Sequence, residues 1–435
     1  MMPKLPPVLT QLVAEFIPDT ATFFALLDAF HDTDALAPFR PLWLLGRMHL
    51  RTALWPRLRL LPHTYDLHLA HLQLQAVHLH PYIEFHCAVA SRLPPNWASH
   101  LIPSPDRVLS CIGCPTHLPP GVLWSLTNLA RIPITHITWT TPTTHLNDYD
   151  SPHRHLQPSY EVLKTLVSLP HLVSLHLDNT HVPSLAPILA YVATSSKVVD
   201  LSLTHITLLH TGGSCFHDIT RPMLDHLVAW LTTHPVRSLA LSHWILDNVD
   251  PTPFYNTWST CKTLSRLCIR CTRLRQLRTH VFSCPISMHH LALDRCNLVA
   301  KDMPALASGL YHSKIDQLEL SRNAIGDKGC RRLFDALPRG SRLTHLHLDN
   351  VELSPFGVVF MVRVIAKSMH LRSLSLAHNR VDGQSARALI AAMTRRRCED
   401  MRTLCLDGNT LVVHDSKVTY TQALAKKSGI DLHLK

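Results

Sequence analysis

The chain has 435 residues, 46% hydrophobic and only 17% charged, so a sizeable core is available and wholesale disorder is excluded. Lys and Arg number 42 against 31 Asp and Glu, a formal charge of +11, and 33 His are the one strong compositional bias. Twelve Cys are too dilute for a disulfide scaffold and suit a reducing compartment, cytoplasmic or nuclear. The opening MMPKLPPVLT has no basic-then-apolar pattern, and the most apolar run, FGVVFMVRVIA, is short and carries Arg363. Neither a secretory signal nor a membrane span is expected.

Residues 1–55 stand apart from the rest. Two helical apolar stripes, Leu9/Leu12/Val13/Phe16 and Phe23/Leu26/Leu27/Phe30, are broken at Pro18-Asp19, where Asp19 or Thr20 can cap the second helix. The segment LWLLGRMHLRTALWPRL predicts a third helix and the exit from this region. Leu5-Pro6 near the start and Ile17-Pro18-Asp19 at the break resemble the opening of an F-box. That resemblance implies docking to a Skp1-type adaptor of a cullin ubiquitin ligase, with Leu5, Pro6, Leu9, Leu12, Phe16 and Ile17 as the apolar contacts. The same helices also suit a plain cap on the end of a stacked-repeat domain.

Residues 56–170 carry only degenerate repeats. Thr64-x-x-Leu67-x-Leu69-x-x-Leu72-x-Leu74 and Leu129-x-x-Ile132-x-Ile134-x-x-Ile137-x-Trp139 are the two visible copies. The Pro- and His-rich stretch 141–159 predicts an exposed loop, and 209–222 a second insertion.

From 171 to 435 one pattern dominates. Nine segments follow apolar-x-x-L-x-L-x-x-(N/T/C/apolar)-x-apolar, with Ile269 once in place of the second core leucine and central leucines at 175, 201, 239, 267, 291, 318, 346, 374 and 404. The L-x-L core has period two, which puts both side chains on one face of a short strand. An apolar quartet spaced i, i+3, i+4, i+7 follows about a dozen residues on, the stripe of an amphipathic helix. Examples are Met303/Leu306/Ala307/Leu310, Cys330/Leu333/Phe334/Leu337, Val358/Met361/Val362/Ile365 and Ala386/Leu389/Ile390/Met393. A strand–turn–helix unit cannot bury its own apolar face, so neighbours must stack around one core. The expected class is α/β, a curved solenoid with parallel strands inside and helices outside.

This arrangement resembles the leucine-rich repeat family in its ribonuclease-inhibitor-like class. The corners Asn323-Ala324-Ile325-Gly326-Asp327-Lys328-Gly329 and Asn379-Arg380-Val381-Asp382-Gly383 match that class. The resemblance implies that Asn caps backbone groups where the chain leaves the strand. Only Asn323, Asn379 and Asn409 keep it, so the corners at Thr180, Ile206, Trp244, Thr272, Cys296 and Val351 are expected to be less regular.

Residues flanking the core leucines should face outward on the concave side. Among 27 such positions are Asp178, Asp200, Asp294, Glu319, Asp349 and Asp407, with Arg266, Arg270, His176, His290, His345 and His347, a net of −4 with His neutral. An acidic inner face disfavours nucleic acid and suits a basic or polar protein segment. The cluster His345, His347, Asp349 with Glu319 has ligand chemistry, but His is abundant enough for coincidence, so no metal is assigned. Cys111-x-x-Cys114 and Cys268-x-x-Cys271 are taken as structural, and Gly213-Ser214-Cys215-Phe216-His217 lacks the flanking signature of a cysteine nucleophile. With no catalytic or cofactor motif, no enzyme is expected. The expected function is protein recognition, as an F-box-like substrate receptor or as a free-standing regulator that wraps a folded partner.

Overall fold

The structure is a computed structural model that describes residues 16–90, 93, 97, 101, 107–113, 132–140, 166–195, 197–208, 216–274, 276–337, 342–368, 371–394, 402–410 and 416–434. The chain forms two compact units, Met1–Ile188 with Ile206–Gly213, and Leu189–His205 with Ser214–Lys435.

In the first unit the first described helices are Thr20–Ala29 and Arg40–Met48, joined through a 3-10 turn at Asp34–Phe39. Asp19 caps the first, its carboxylate accepting from the Thr22 N–H at 2.7 Å, and these hydrogen bonds hold its pKa below the usual value. The core here is aromatic: Phe23 stacks flat on Trp55 with centroids 3.9 Å apart and meets Phe39 edge-on. The buried face is Phe23, Phe24 and Leu27, while Leu26 and Phe30 of the expected stripe are only half-buried. The expected third helix is real but shorter, closing at Met48 before a 3-10 turn at Arg51–Ala53. Of the first stripe only Phe16 lies among the described residues.

Five strands then pair in parallel in chain order: Leu58–Leu60, Tyr82–His86, Val108–Gly113, His136–Thr140 and Ser174–Asp178. This corrects both degenerate copies. Leu67–Leu69 is a 3-10 turn leading into the helix Ala70–Val77, not a strand. In the second copy the strand lies at Ile137 and Trp139, five residues past Ile132 and Ile134. Short alternations in YIEFH and VLSCI, with Ile83, Phe85, Leu109 and Cys111 buried, supply two strands that lack the L-x-L pair.

Buried beneath Trp55 is His80, whose ring desolvation pulls its pKa down to about 4. The unfolded chain takes up the proton near its ordinary value of about 6.5, the folded chain only far below it. Stability is therefore intact above that range and lost as pH falls through it. Urea unfolding of this unit is expected to lose about 2 kcal/mol between about pH 7 and about pH 5, and His80→Phe to flatten that slope. An unchanged slope in the variant would refute the assignment.

In the second unit nine strands pair in parallel, again in chain order: Asp200–Thr204, Ser238–Ser242, Arg266–Arg270, His290–Asp294, Gln317–Glu319, His345–His347, Ser373–Ser375, Arg402–Cys405 and Ile430–His433. The register aligns leucine on leucine, from Leu201 and Leu239 through Leu404 and Leu432. The last strand, IDLH, carries too little of the repeat to be visible in sequence. Helices at Met303–Leu310, Gly326–Ala336, Pro355–Ser368, Gly383–Thr394 and Ser416–Lys427 pack each on the next. Their predicted quartets are buried throughout except for Val362, which is half-buried. Between Leu267 and Leu291, the shortest repeat, a 3-10 turn at Leu277–Thr279 replaces the helix because 24 residues leave no room for one.

The corners explain how the coils are joined. Asn379 accepts from the Val351 and Leu353 N–H groups through Oδ1 and donates through Nδ2 to the Leu348, Leu376 and Ala377 carbonyls, all within 3.2 Å. Asn323 does the same two coils earlier. Where Asn is missing, substitutes do part of the work. Thr272 accepts from the Trp244 N–H and donates to the Arg270 carbonyl, and the Cys296 thiol donates to the Ile269 carbonyl at 3.2 Å. Ile206, Trp244 and Val351 simply plug their corners as buried apolar groups.

A second corner feature left no motif. Four residues after each central leucine stands a residue with φ between +48° and +65°: Asn179, His205, His243, Cys271, Arg295, Arg322, Asn350, His378 and Gly408. From His243 to His378 this twist aims the N–H at a carbonyl of the next coil, as with Cys271 to Asp294 and Arg322 to Asp349. Asn and His tolerate this region better than most residues, so part of the histidine excess serves the turn. Arg295 is exposed, so Arg295→Gly should raise the urea midpoint and Arg295→Val lower it, a difference of about 1 kcal/mol. The reverse order would show that the twist carries no strain.

Candidate partner-binding strand face

Register sets the face. In the second unit one row runs Asp200, Ser238, Arg266, His290, Gln317, His345, Ser373, Thr403, and the next runs through Cys268, Ala292, Glu319, His347, Ser375, Cys405. Glu319 and His347 are direct cross-strand neighbours, as the repeat spacing predicts. In the first unit His176 and Asp178 occupy corresponding positions on the Leu175 strand, both half-buried.

The acids of this face are largely engaged by the fold. Asp294 is 3% exposed and receives both Nε and a terminal nitrogen of Arg322, at 2.8 and 2.6 Å. The same pair holds the Arg322 guanidinium above its ordinary pKa. Asp200 pairs with Arg237 at 2.6 Å. Asp349 accepts from the Ser375 hydroxyl and the Ala377 N–H, at 2.5 and 2.8 Å, and Asp407 accepts from the Cys405 thiol at 3.5 Å. Asp294, Asp349 and Asp407 sit where the chain leaves the strand for the corner, whereas Asp200 opens its strand. Asp294 is thus closed to a partner, and counting it as exposed overstated the acidity of the face. Arg322 and Arg237 were missed because they lie outside the L-x-L window; a basic residue one coil away from an acid was the available signal.

The basic groups are more open. Arg266 is exposed and Arg270 half-buried. Desolvation and then the Arg266 charge keep His290 below its ordinary pKa, and desolvation followed by His347 does so for His345. Cys268 is pushed up by burial, so its thiol stays protonated. Cys111 and Cys330 are raised to about 12 by burial, and Cys296 is raised further. Such thiols are structural rather than nucleophilic. Cys114, Gly213, Ser214 and Cys215 lie outside the described residues, while His217 is buried in a two-residue strand beside Trp244–Ile245. Among the described residues no group of three or more His, Cys, Asp or Glu is placed to hold a metal ion. No helix among them is long and apolar enough to cross a membrane.

At the N-terminus, Leu5, Pro6, Leu9 and Leu12 lie outside the described residues. The Ile17 carbonyl accepts from the Trp55 indole at 2.6 Å, which ties the chain to the aromatic core. Phe16 is 82% exposed, Met48 52% and Leu50 64%.

No family model matches the sequence. Ribonuclease inhibitor from Mus musculus is 26% identical over 113 residues, 26% of this chain and 25% of that protein, so the match spans about a quarter of that relative. Among solved structures, a chain of the yeast Rad7 and Elc1 complex gives a TM-score of 0.50 at 13% identity, covering 94% of this chain and 90% of that one. An internalin from Listeria monocytogenes gives 0.37 at 14% identity over 75% and 78%. At such identities the likeness to solved structures is one of fold. The leucine period, the asparagine corner and parallel strands in register with helices between them make this chain an α/β leucine-rich repeat solenoid.

Proposed function

We propose that this protein is a non-catalytic recognition scaffold, and specifically an F-box-like substrate receptor for a cullin-type ubiquitin ligase. The strand face holds a protein target while the N-terminal helices hold a Skp1-type adaptor. Transfer is then promoted by effective concentration and needs no reacting group on this chain. The observation that carries the reading is the exposure of Phe16, Met48 and Leu50 beside a helical core already filled by Phe23, Phe24, Phe39 and Trp55. Large apolar groups of this kind concentrate interface energy when a partner covers them. The solved Rad7 and Elc1 complex, in which this fold accompanies a second protein, supports the coarser part of the reading.

Pull-down with a purified Skp1-type adaptor tests it. The intact chain should bind, and Leu9→Asp with Phe16→Asp should weaken binding at least about tenfold. An intact chain that fails to bind removes the ligase reading and leaves a free-standing regulator.

A further inference from the structure

The fold redistributes the charge of the strand face. Asp294 is closed off by Arg322, Asp200 by Arg237, and Asp349 by Ser375 and the Ala377 N–H. Arg266 and Arg270, on a strand between these groups, form no ion pair among the described residues. The Arg270 Nε is shielded from water and has no acceptor there. A shielded guanidinium N–H without an acceptor forgoes a charge-assisted hydrogen bond, which an incoming oxyanion would restore.

Access to the pair is open along the sheet. In register beside Arg266, Cys268 and Arg270 stand only the small side chains of Ser238, Ala240 and Ser242 on one strand. On the other side stand His290, which desolvation keeps below its ordinary pKa, the small Ala292, and Asp294 opposite Arg270, whose carboxylate is already taken by Arg322. Glu319 is the one nearby carboxylate with no hydrogen bond or ion pair among the described residues. Arg266 and Arg270 are four residues apart on one strand, about 13 Å along it. An extended chain laid along the strand has the same rise, so two of its carboxylates can meet both guanidinium forks.

We propose that the strand face at Arg266 and Arg270 docks an extended acidic segment of a partner protein, two of whose carboxylates pair with these arginines. The inference rests on the scaffold reading and deepens it by assigning the partner's chemistry, opposite in sign to the one that residue counting suggests. Bidentate Arg–carboxylate geometry supplies both affinity and register.

Fluorescence anisotropy of the purified full chain tests this with a labelled peptide of about twelve alternating Glu and Ser residues. Saturable binding is expected, weakened at least about tenfold by Arg266→Glu with Arg270→Glu. Arg331→Glu with Arg363→Glu, exposed on helices, should leave it unchanged. No saturable binding, equal binding by the Arg266/Arg270 variant, or preference for the matching Lys-Ser peptide would overturn the proposal. Tighter binding of a short oligothymidine through the same two arginines would reassign the face to nucleic acid. None of these outcomes bears on the adaptor pull-down, which probes a different segment.

Discussion

Asn379→Leu is expected to cost about 4 kcal/mol of folding stability, the largest effect of any single polar replacement discussed above. The side chain is 6% exposed and satisfies two N–H groups and three carbonyls across two coils. Leucine fills the volume but leaves those groups buried with no partner, and each orphan costs about 1–3 kcal/mol. Asn409 accepts one N–H rather than two and is half-buried, so Asn409→Leu should cost about half as much. Hydrogen exchange gives a local check: the Val351 and Leu353 amides should lose protection in the Asn379 variant. A urea midpoint equal to that of the parent would show that water replaces the asparagine at no cost.

Leu346→Ala is the second large effect, about 3 kcal/mol. Leu346 has no exposure and lies in register between Leu318 and Leu374, so its removal leaves a cavity in a stack that coils on both sides help to form. Because each coil is held by its neighbours, the loss should appear as faster proteolysis across several repeats rather than one. Val359→Ala on the adjacent helix makes the control, since Val359 is exposed and the change should stay within about 0.5 kcal/mol. Equal effects from the two variants would mean that the leucines are not the ribs of the core.

Much of the candidate site follows from the same local pattern, and part does not. The outward positions around each central leucine were legible, and the register places His347 against Glu319 as the spacing requires. The charge those positions present to a partner was not. Asp294 and Arg322 are 28 residues apart, and nothing in either local segment says that the two side chains meet. The same holds for Asp200 with Arg237. Counting charges along a strand therefore gave an acidic face, whereas pairing across coils leaves Arg266 and Arg270 without ionic partners among the described residues.

Local sequence determined the repeat itself. A period-two leucine pair and a 3.6-period quartet depend only on which side of a strand or helix each residue occupies, so strand, turn and helix could be assigned without knowing their neighbours. Three other features waited on tertiary structure. The strands at Ile83 and Leu109 lack the paired leucines of the repeat and are fixed by pairing with the strands beside them. The left-handed residues from His243 to His378 take their conformation because the next coil offers a carbonyl there, whatever side chain the position carries. Finally, the opposite ends of the Asp294–Arg322 pair come from successive coils, and only stacking brings them within hydrogen-bonding reach. Faces are encoded by residues next to one another in sequence, whereas partners are supplied by residues a full coil away.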